Sequence, residues 1–341
     1  MQEKELVFVT GGTGLIGAHL LFDLVSKGYR VRALRRRASN TERVRRVFSY
    51  YHPDANSLYT RIEWHIGDLD ATGAWEGALE HVRHFYHCAA VVSLEGGSAA
   101  ALTATNVGGT MRVLEQCRKA GVEKLCYVSS SSALGKPAAP SGIVTEETPW
   151  DPEEEISPYA AGKYAAEQAV WQAIREGMNA VIVNPVIVLG PGDWDRSSAK
   201  IIQTVWKGFP FYTQGVNGFV DVRDVSRAMI SLTEGPWSGE RFIVSAESLA
   251  FREVFGQIAA SLGKRGPFIP VPRLAGEIAW RANWLASKIS GKAPLITRAT
   301  VASADKQYYF SNEKVKRALQ TEFLTVEQSI RDTCKIFLSE I

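Results

Sequence analysis

Cysteine is scarce: Cys88, Cys117, Cys126 and Cys334 are all that occur in 341 residues. No two of them have a spacing typical of zinc sites or of redox Cys-x-x-Cys motifs, so no metal site is expected. They read as reduced, mostly buried thiols of a cytosolic protein. Long apolar runs are missing too, since none approaches the roughly 20 residues needed to cross a bilayer. The N-terminus runs directly into a strand, without the charged lead and apolar segment of a signal peptide. The expectation is a cytoplasmic protein with no membrane span. A charge excess is also lacking: 39 basic side chains stand against 36 acidic ones, for a net +3. Nucleic-acid-binding domains usually carry a marked basic excess, so nucleic acid is not an expected partner. Internal repeats and low-complexity tracts are absent.

What is present is an ordinary globular composition, 45% hydrophobic and 22% charged, in a length suited to two domains or one large α/β unit. The first half alternates short apolar runs with helical patterns, the sign of a parallel sheet covered on both faces. Candidate strands are Leu6–Thr10, Arg30–Leu34, Ile62–Ile66, His84–Cys88, Lys124–Ser129 and Ala180–Val183. Between them lie helical stretches at Gly17–Lys27, Asn106–Ala120 and Pro158–Glu176. The predicted fold is α/β: a Rossmann-type, doubly wound parallel sheet with a smaller C-terminal α/β substrate domain. After Pro185 the rhythm changes to Gly- and Pro-rich loops, with Phe219–Ala228 reading as a return to the first domain. Residues 1–183 and 217–245 are assigned to dinucleotide binding, and 184–216 and 246–341 to substrate. Phe251–Leu262 and Pro272–Ser290 read as helices of the smaller domain. The second carries Trp280 and Trp284 in a modest apolar stripe, which suits packing on that domain and leaves a membrane-surface or partner-binding helix as the rival.

Gly11, Gly14 and Gly17 sit at three-residue spacing directly after a predicted strand and at the opening of a helix. A glycine triplet alone marks many turns. In this context the first permits the tight turn, the second lets the backbone approach a pyrophosphate, and the third lets helix pack on strand. Thr13, Leu15 and Ile16 complete the turn, whose free N–H groups and helix dipole face the phosphates.

An NAD site usually ends its second strand with Asp or Glu, which binds the ribose 2′-hydroxyl. Here Arg35, Arg36 and Arg37 follow, with no acid until Glu42. Guanidinium forks suit a 2′-phosphate, so NADP(H) is favoured, with Arg36 the leading contact and NAD(H) the alternative. Solvated surface arginines are the plainer explanation of such a run. Gly67, Asp68 and Leu69 follow the third strand, where an Asp side chain can accept the adenine amino group. Cys88, Ala89 and Ala90 end the fourth, small enough for ribose to lie against. Asn106 opens the next helix, where it also suits an ordinary N-cap.

Tyr159 and Lys163 are four residues apart and project from one helix face. A phenol near pKa 10 is a poor acid or base at neutral pH, and a nearby ammonium together with a positive nicotinamide ring lowers that value. Tyr159 then gives a proton to a carbonyl oxygen receiving hydride, or takes one from an alcohol. Lys163 also binds the nicotinamide ribose. Ser129, Ser130, Ser131 and Ser132 close the fifth strand, at the sheet end where ligands bind. A hydroxyl there orients a substrate carbonyl; the serines also suit a simple turn cap.

These features together resemble the extended short-chain dehydrogenase/reductase family. The likeness runs through Thr-Gly-Gly-Thr-Gly-Leu-Ile-Gly at Thr10–Gly17, Tyr159-x-x-x-Lys163, Asn184-Pro185 leading to Gly190-Pro191-Gly192, and Phe219–Asp224. Counted back from Gly135, the family's catalytic hydroxyl falls on Ser130, with Ser131 the nearest rival. The resemblance also implies that Pro185 and Val186, with Val188 beyond, line the nicotinamide. Within the family the chain looks most like the dihydroflavonol 4-reductase-like branch, whose members reduce carbonyls on fairly apolar substrates. Sugar-nucleotide epimerases and dehydratases often carry an Asn where this chain has Ile187, which weakens that reading. The expected protein is an NADP(H)-dependent oxidoreductase reducing a ketone or aldehyde of a small molecule. A nucleotide-sugar epimerase or dehydratase, or a non-catalytic dinucleotide-binding module, is the alternative. Phe209, Phe211, Tyr212, Trp280 and Trp284 are candidate substrate-wall residues. A homodimer is left open.

Overall fold

Buried apolar alternation in the first strand, LVFVT at Leu6–Thr10 (β1), sends Val7 and Val9 to one side and Leu6 and Phe8 to the other. A strand apolar on both faces must be covered on both. The computed structural model, which describes residues 4–69, 71–75, 77–90, 99–137, 142–151, 157–271 and 306–341, builds that arrangement. After β1 come helix α1 (Leu15–Ser26), β2 (Arg30–Arg35), α2 (Glu42–Tyr51), α3 (Ala55–Tyr59), β3 (Ile62–Ile66) and β4 (Val82–His87). Next are α4 (Ala99–Ala120), β5 (Lys124–Val128), β6 (Ile143–Val144), α5 (Pro158–Arg175), β7 (Ala180–Pro185) and β8 (Ile187–Leu189). Then follow α6 (Lys200–Trp206), β9 (Phe211–Tyr212), β10 (Val216–Asp221), α7 (Val222–Glu234), β11 (Glu240–Val244) and β12 (Glu247–Ala250). The chain closes with α8 (Phe251–Ser261), β13 (Ile269–Pro270), β14 (Tyr309–Phe310), α9 (Glu313–Leu319) and α10 (Val326–Ser339).

Seven strands form one parallel sheet in the order β3-β2-β1-β4-β5-β7-β11. The chain winds one way from β1 to β3, then starts again beside β1 with β4 and winds the other way. That reversal opens a crevice at the carboxyl ends of β1 and β4, where such sheets bind ligands. Val7, Val9, Val128 and Val183 share one core with α1, α2 and α7; Phe8, Phe85, Tyr127 and Ile182 share another with α4 and α5. The expected α/β doubly wound architecture is what the chain adopts.

A second sheet, β12-β10-β8, lies over a separate core of Leu189, Trp194, Ile202, Phe219, Ile258 and Ile330. Phe219 thus pairs with Ile187 in this smaller sheet, while α7 directly after it packs on α1. Lys124, at the start of β5, is buried and donates to the Leu232 and Gly235 carbonyls at 2.9 and 2.7 Å, satisfying the C-terminus of α7. The strand limits shift slightly, with β4 ending at His87 and β7 running on to Pro185. All four cysteines are free thiols. Among the described residues no helix is long and apolar enough to cross a membrane. The predicted helix Pro272–Ser290, with Trp280 and Trp284, lies outside the described residues.

Candidate active site

The crevice floor is the turn between β1 and α1. Gly11 has φ +70°, and a Cβ there would sit 2.5 Å from the Ala89 amide nitrogen. A Cβ on Gly17 would lie 2.2 Å from the Gly11 carbonyl oxygen. These two glycines are therefore demanded by the protein's own packing. Gly14 differs: it is exposed, and the nearest atom to an added Cβ is 3.3 Å away. It is also the N-cap of α1, where no side chain caps the first turn and no acid occupies it. With Thr13, Leu15 and Ile16 partly exposed beside it, this is a positive helix end open to the groove, a fit for a pyrophosphate.

On the β2–β3 side of the crevice, β2 runs on through Arg35, whose carbonyl accepts from the Gly67 amide at 3.0 Å. Arg35 is half-buried, whereas Arg36 and Arg37 are exposed in a turn closed by Ser39, whose hydroxyl accepts from the Arg36 amide at 3.2 Å. Asp68 is exposed just beyond β3, and Leu69 lies against Gly109 of α4. Asn106 needs a correction. It does not open a helix, because α4 begins at Ala99 and Asn106 is buried in its interior, next to Gly162 of α5. The small residues of Asn-Val-Gly-Gly-Thr imitate a helix start, but here they lie inside α4, and the glycine that faces the neighbouring helix is Gly162 of α5, against Thr103 and Asn106.

The end of β4 places a buried histidine behind the glycine turn. His87 shares a 2.7 Å hydrogen bond between Nδ1 and Thr10 Oγ1, and one of 3.2 Å between Nε2 and Thr110 Oγ1. Burial, helped by the charge of Lys163, lowers its pKa to about 3, so the ring is neutral. Cys88 and Ala89 follow, partly exposed along the groove, with Ala90 exposed beyond them. Burial pushes the Cys88 thiol up, so it is no thiolate.

Ser130, Tyr159 and Lys163 come together from β5 and α5. Ser157 N-caps α5, accepting from the Ala160 amide at 3.1 Å, and Pro158 occupies its first turn. This cap aims the first turn, and so Tyr159, at the end of β5. Burial raises the Tyr159 pKa from the ordinary phenol value, and Ser130, a hydrogen-bonding neighbour of the phenol, lowers it by less. The lowering expected from Lys163 is therefore not what the protein alone shows; its phenol stays protonated, the form that donates to a carbonyl. Lys163 is buried, donates to the Val128 carbonyl at 2.9 Å and lies 5.5 Å from the Tyr127 ring centre. Burial lowers its pKa to about 8. Of the serines, Ser130 Oγ accepts from the Ser132 amide at 3.2 Å, whereas Ser129 is buried and turned away.

Ser129 turns toward a residue that motif reading passed over. Glu167, two turns beyond Tyr159 on α5, is fully buried. Its Oε2 accepts from Ser129 Oγ at 2.5 Å and Asn184 Nδ2 at 2.8 Å. Its Oε1 accepts from Trp171 Nε1 at 3.1 Å and Arg241 Nη1 at 3.2 Å. The signal for it was its four-residue step from Lys163. Pro185, Val186 and Val188 are buried at the end of β7 and along β8. Phe209 and Phe211 stack edge to face at 5.5 Å, and Tyr212 lies under Arg252.

Comparison with known proteins gives a family and relatives for the chain. The model of a family described as NAD dependent epimerase/dehydratase matches residues 7–244. A Synechocystis sp. protein named "Putative dihydroflavonol 4-reductase" is 29% identical over 98% of this chain and 94% of its own length. Cinnamoyl-CoA reductase 1 of Petunia hybrida is 28% identical over 97% of this chain and 91% of its own. Among solved structures, gox2253 superposes with a TM-score of 0.82 at 26% identity, covering 99% of both chains.

Proposed function

The chain belongs to the NAD-dependent epimerase/dehydratase family, the extended short-chain dehydrogenase/reductases, and from that premise we propose that it is an NADP(H)-dependent reductase. Its substrate on this reading is a ketone or aldehyde of a fairly apolar small molecule, converted to an alcohol. The observation that carries the reading is the Tyr159 phenol beside Ser130, with Lys163 one helical turn further on. A pure binding module has no use for that trio.

The nicotinamide, when bound, supplies the hydride. The residues do the rest. Gly11, Gly14 and Gly17 with Thr13, Leu15 and Ile16 hold the pyrophosphate, and Arg35, Arg36 and Arg37 hold the 2′-phosphate. Asp68, Leu69, Cys88, Ala89 and Ala90 line the adenosine and ribose path, with Asn106 behind it, and Pro185, Val186 and Val188 wall the nicotinamide. Ser130 hydrogen-bonds the substrate oxygen. Tyr159 gives that oxygen its proton as negative charge develops on it. Lys163 anchors the ribose, and its charge favours the phenolate that Tyr159 becomes.

The apolar Ile187, together with reductase-named relatives over nearly the full chain, supports carbonyl reduction over nucleotide-sugar chemistry. We assign 1–183 and 217–245 to the cofactor half and 184–216 and 246–341 to the substrate half, except that β10, through Asp221, pairs in the smaller sheet and so goes with the substrate half. The free thiols suit a reducing cytoplasm. The test is mass spectrometry of what co-purifies, followed by NADPH consumption over ketones, aldehydes and nucleotide sugars. NADPH oxidation with a carbonyl is expected; co-purified NAD with a thermal shift on UDP- or GDP-sugars overturns the reductase reading.

A further inference from the structure

Four hydrogen-bond donors converge on one buried carboxylate behind the candidate active site. Each Glu167 oxygen takes two of them, from β5, β7, β11 and its own helix. A carboxylate removed from water needs this many partners, since an unpaired buried charge is costly. Arg241 supplies the countercharge and is itself fixed by the Glu146 carbonyl, which accepts from its Nε at 2.8 Å. Such a network costs the chain much to assemble and is more than a helix needs to pack on a sheet.

Its geometry leads to the reacting end of the site. Asn184 Nδ2 donates both to Glu167 Oε2 and, at 3.1 Å, to the Ser130 carbonyl. The hydroxyl of the preceding residue, Ser129, is held on the same oxygen. The carboxylate therefore grips two consecutive residues at the end of β5. It does so from α5, the helix that carries Tyr159. We propose that Glu167 is a positioning residue: through Ser129 and Asn184 it sets the register of Ser130 against Tyr159. The inference rests on the reading of Ser130 and Tyr159 as the acid–base pair.

The charge itself matters for the orientation of Asn184. Two acceptors, Glu167 Oε2 and the Ser130 carbonyl, require its NH2 group on that side. In Glu167→Gln an amide nitrogen replaces one acceptor. Asn184 must then turn its Oδ1 to that nitrogen, which takes its N–H groups off the Ser130 carbonyl, or the nitrogen must face Arg241. Asn184→Ala removes the link to Ser130 and leaves the Glu167–Arg241 pair in place, so it is the variant less prone to misfold.

The test is a double-mutant cycle with Ser130→Ala, together with titration of Tyr159 read as the ultraviolet difference between each protein and its Tyr159→Phe counterpart. Glu167→Gln and Asn184→Ala are each expected to lower kcat about tenfold, the size of coupling seen between contacting residues, with NADPH affinity unchanged. In the Ser130→Ala background neither should lower kcat further. In both variants the Tyr159 titration should move to higher pH, because the Ser130 hydrogen bond that lowers it is lost. Equal losses in the two backgrounds, or an unmoved titration in both variants, overturn the proposal and leave Glu167 a purely structural residue. If wild-type protein turns over no carbonyl, the reductase reading fails separately, and the titration, which needs no substrate, still decides the positioning role.

Discussion

His87 Nδ1 and Thr10 Oγ1 lie 2.7 Å apart with both residues sealed from solvent, joining the end of β4 to the residue before the first glycine of the turn. The other ring nitrogen reaches Thr110 on α4, so one imidazole ties together three elements that frame the dinucleotide groove. The bonds suit a neutral ring, and burial keeps it neutral down to about pH 3.

Acid should therefore begin to loosen this protein as pH falls below about 6.5, where unfolded histidines take up protons. His19 is a second buried neutral imidazole, lowered to about 4 mainly by burial despite its bond to the Leu15 carbonyl. In the unfolded chain both take up protons near 6.5, while the folded protein refuses them. Their contribution is thus complete above pH 6.5 and is lost as pH falls toward the folded values. At pH 5 the loss is about 2 kcal/mol for each ring. Urea unfolding at pH 7 and pH 5 should show it, and His87→Gln should flatten the dependence by its share. An identical pH dependence in the variant would contradict the neutral-ring assignment.

The arginines after β2 make a prediction about cofactor choice. Arg36→Asp should weaken NADPH far more than NADH, because a carboxylate repels a 2′-phosphate and accepts from a 2′-hydroxyl. Arg35→Ala should show the same trend, since its side chain is half-buried at the edge of the strand. Fluorescence titration with each nucleotide checks both. Unchanged preference in both variants would make the run ordinary surface charge.

Gly17→Ala tests the turn. The new methyl would fall 2.2 Å from the Gly11 carbonyl, too close without moving the backbone of the proposed phosphate-binding turn. Dinucleotide affinity should fall at least tenfold, roughly what one or two impaired charge-assisted hydrogen bonds contribute. Gly28→Ala, which meets no atom within 4 Å though its φ is +85°, should cost some stability and leave affinity alone. Equal affinity losses in the two variants would refute a local role for the turn.

How much of this was legible in the sequence depended on distance along the chain. The glycine turn was readable because its strand, its bend and its helix are consecutive, each with its own local pattern. Tyr159 and Lys163 were readable because one helical turn joins them. Asn106 was misplaced because a run of small residues in the middle of α4 has the same composition as a helix start. The Glu167 network stayed hidden for a different reason. Its partners Ser129, Asn184 and Arg241 are 38, 17 and 74 residues away, and only sheet order brings them to one carboxylate.

The proposed chemistry centres on the Tyr159 phenol, and one substitution addresses it. Tyr159→Phe removes the proton donor and keeps the ring. With a carbonyl substrate that the wild-type protein reduces, kcat should fall by about 10²–10⁴, the usual contribution of a positioned acid, while NADPH binds as before. Turnover equal to wild type would contradict Tyr159 as the donor, and a parallel loss of NADPH binding would assign it to the cofactor instead.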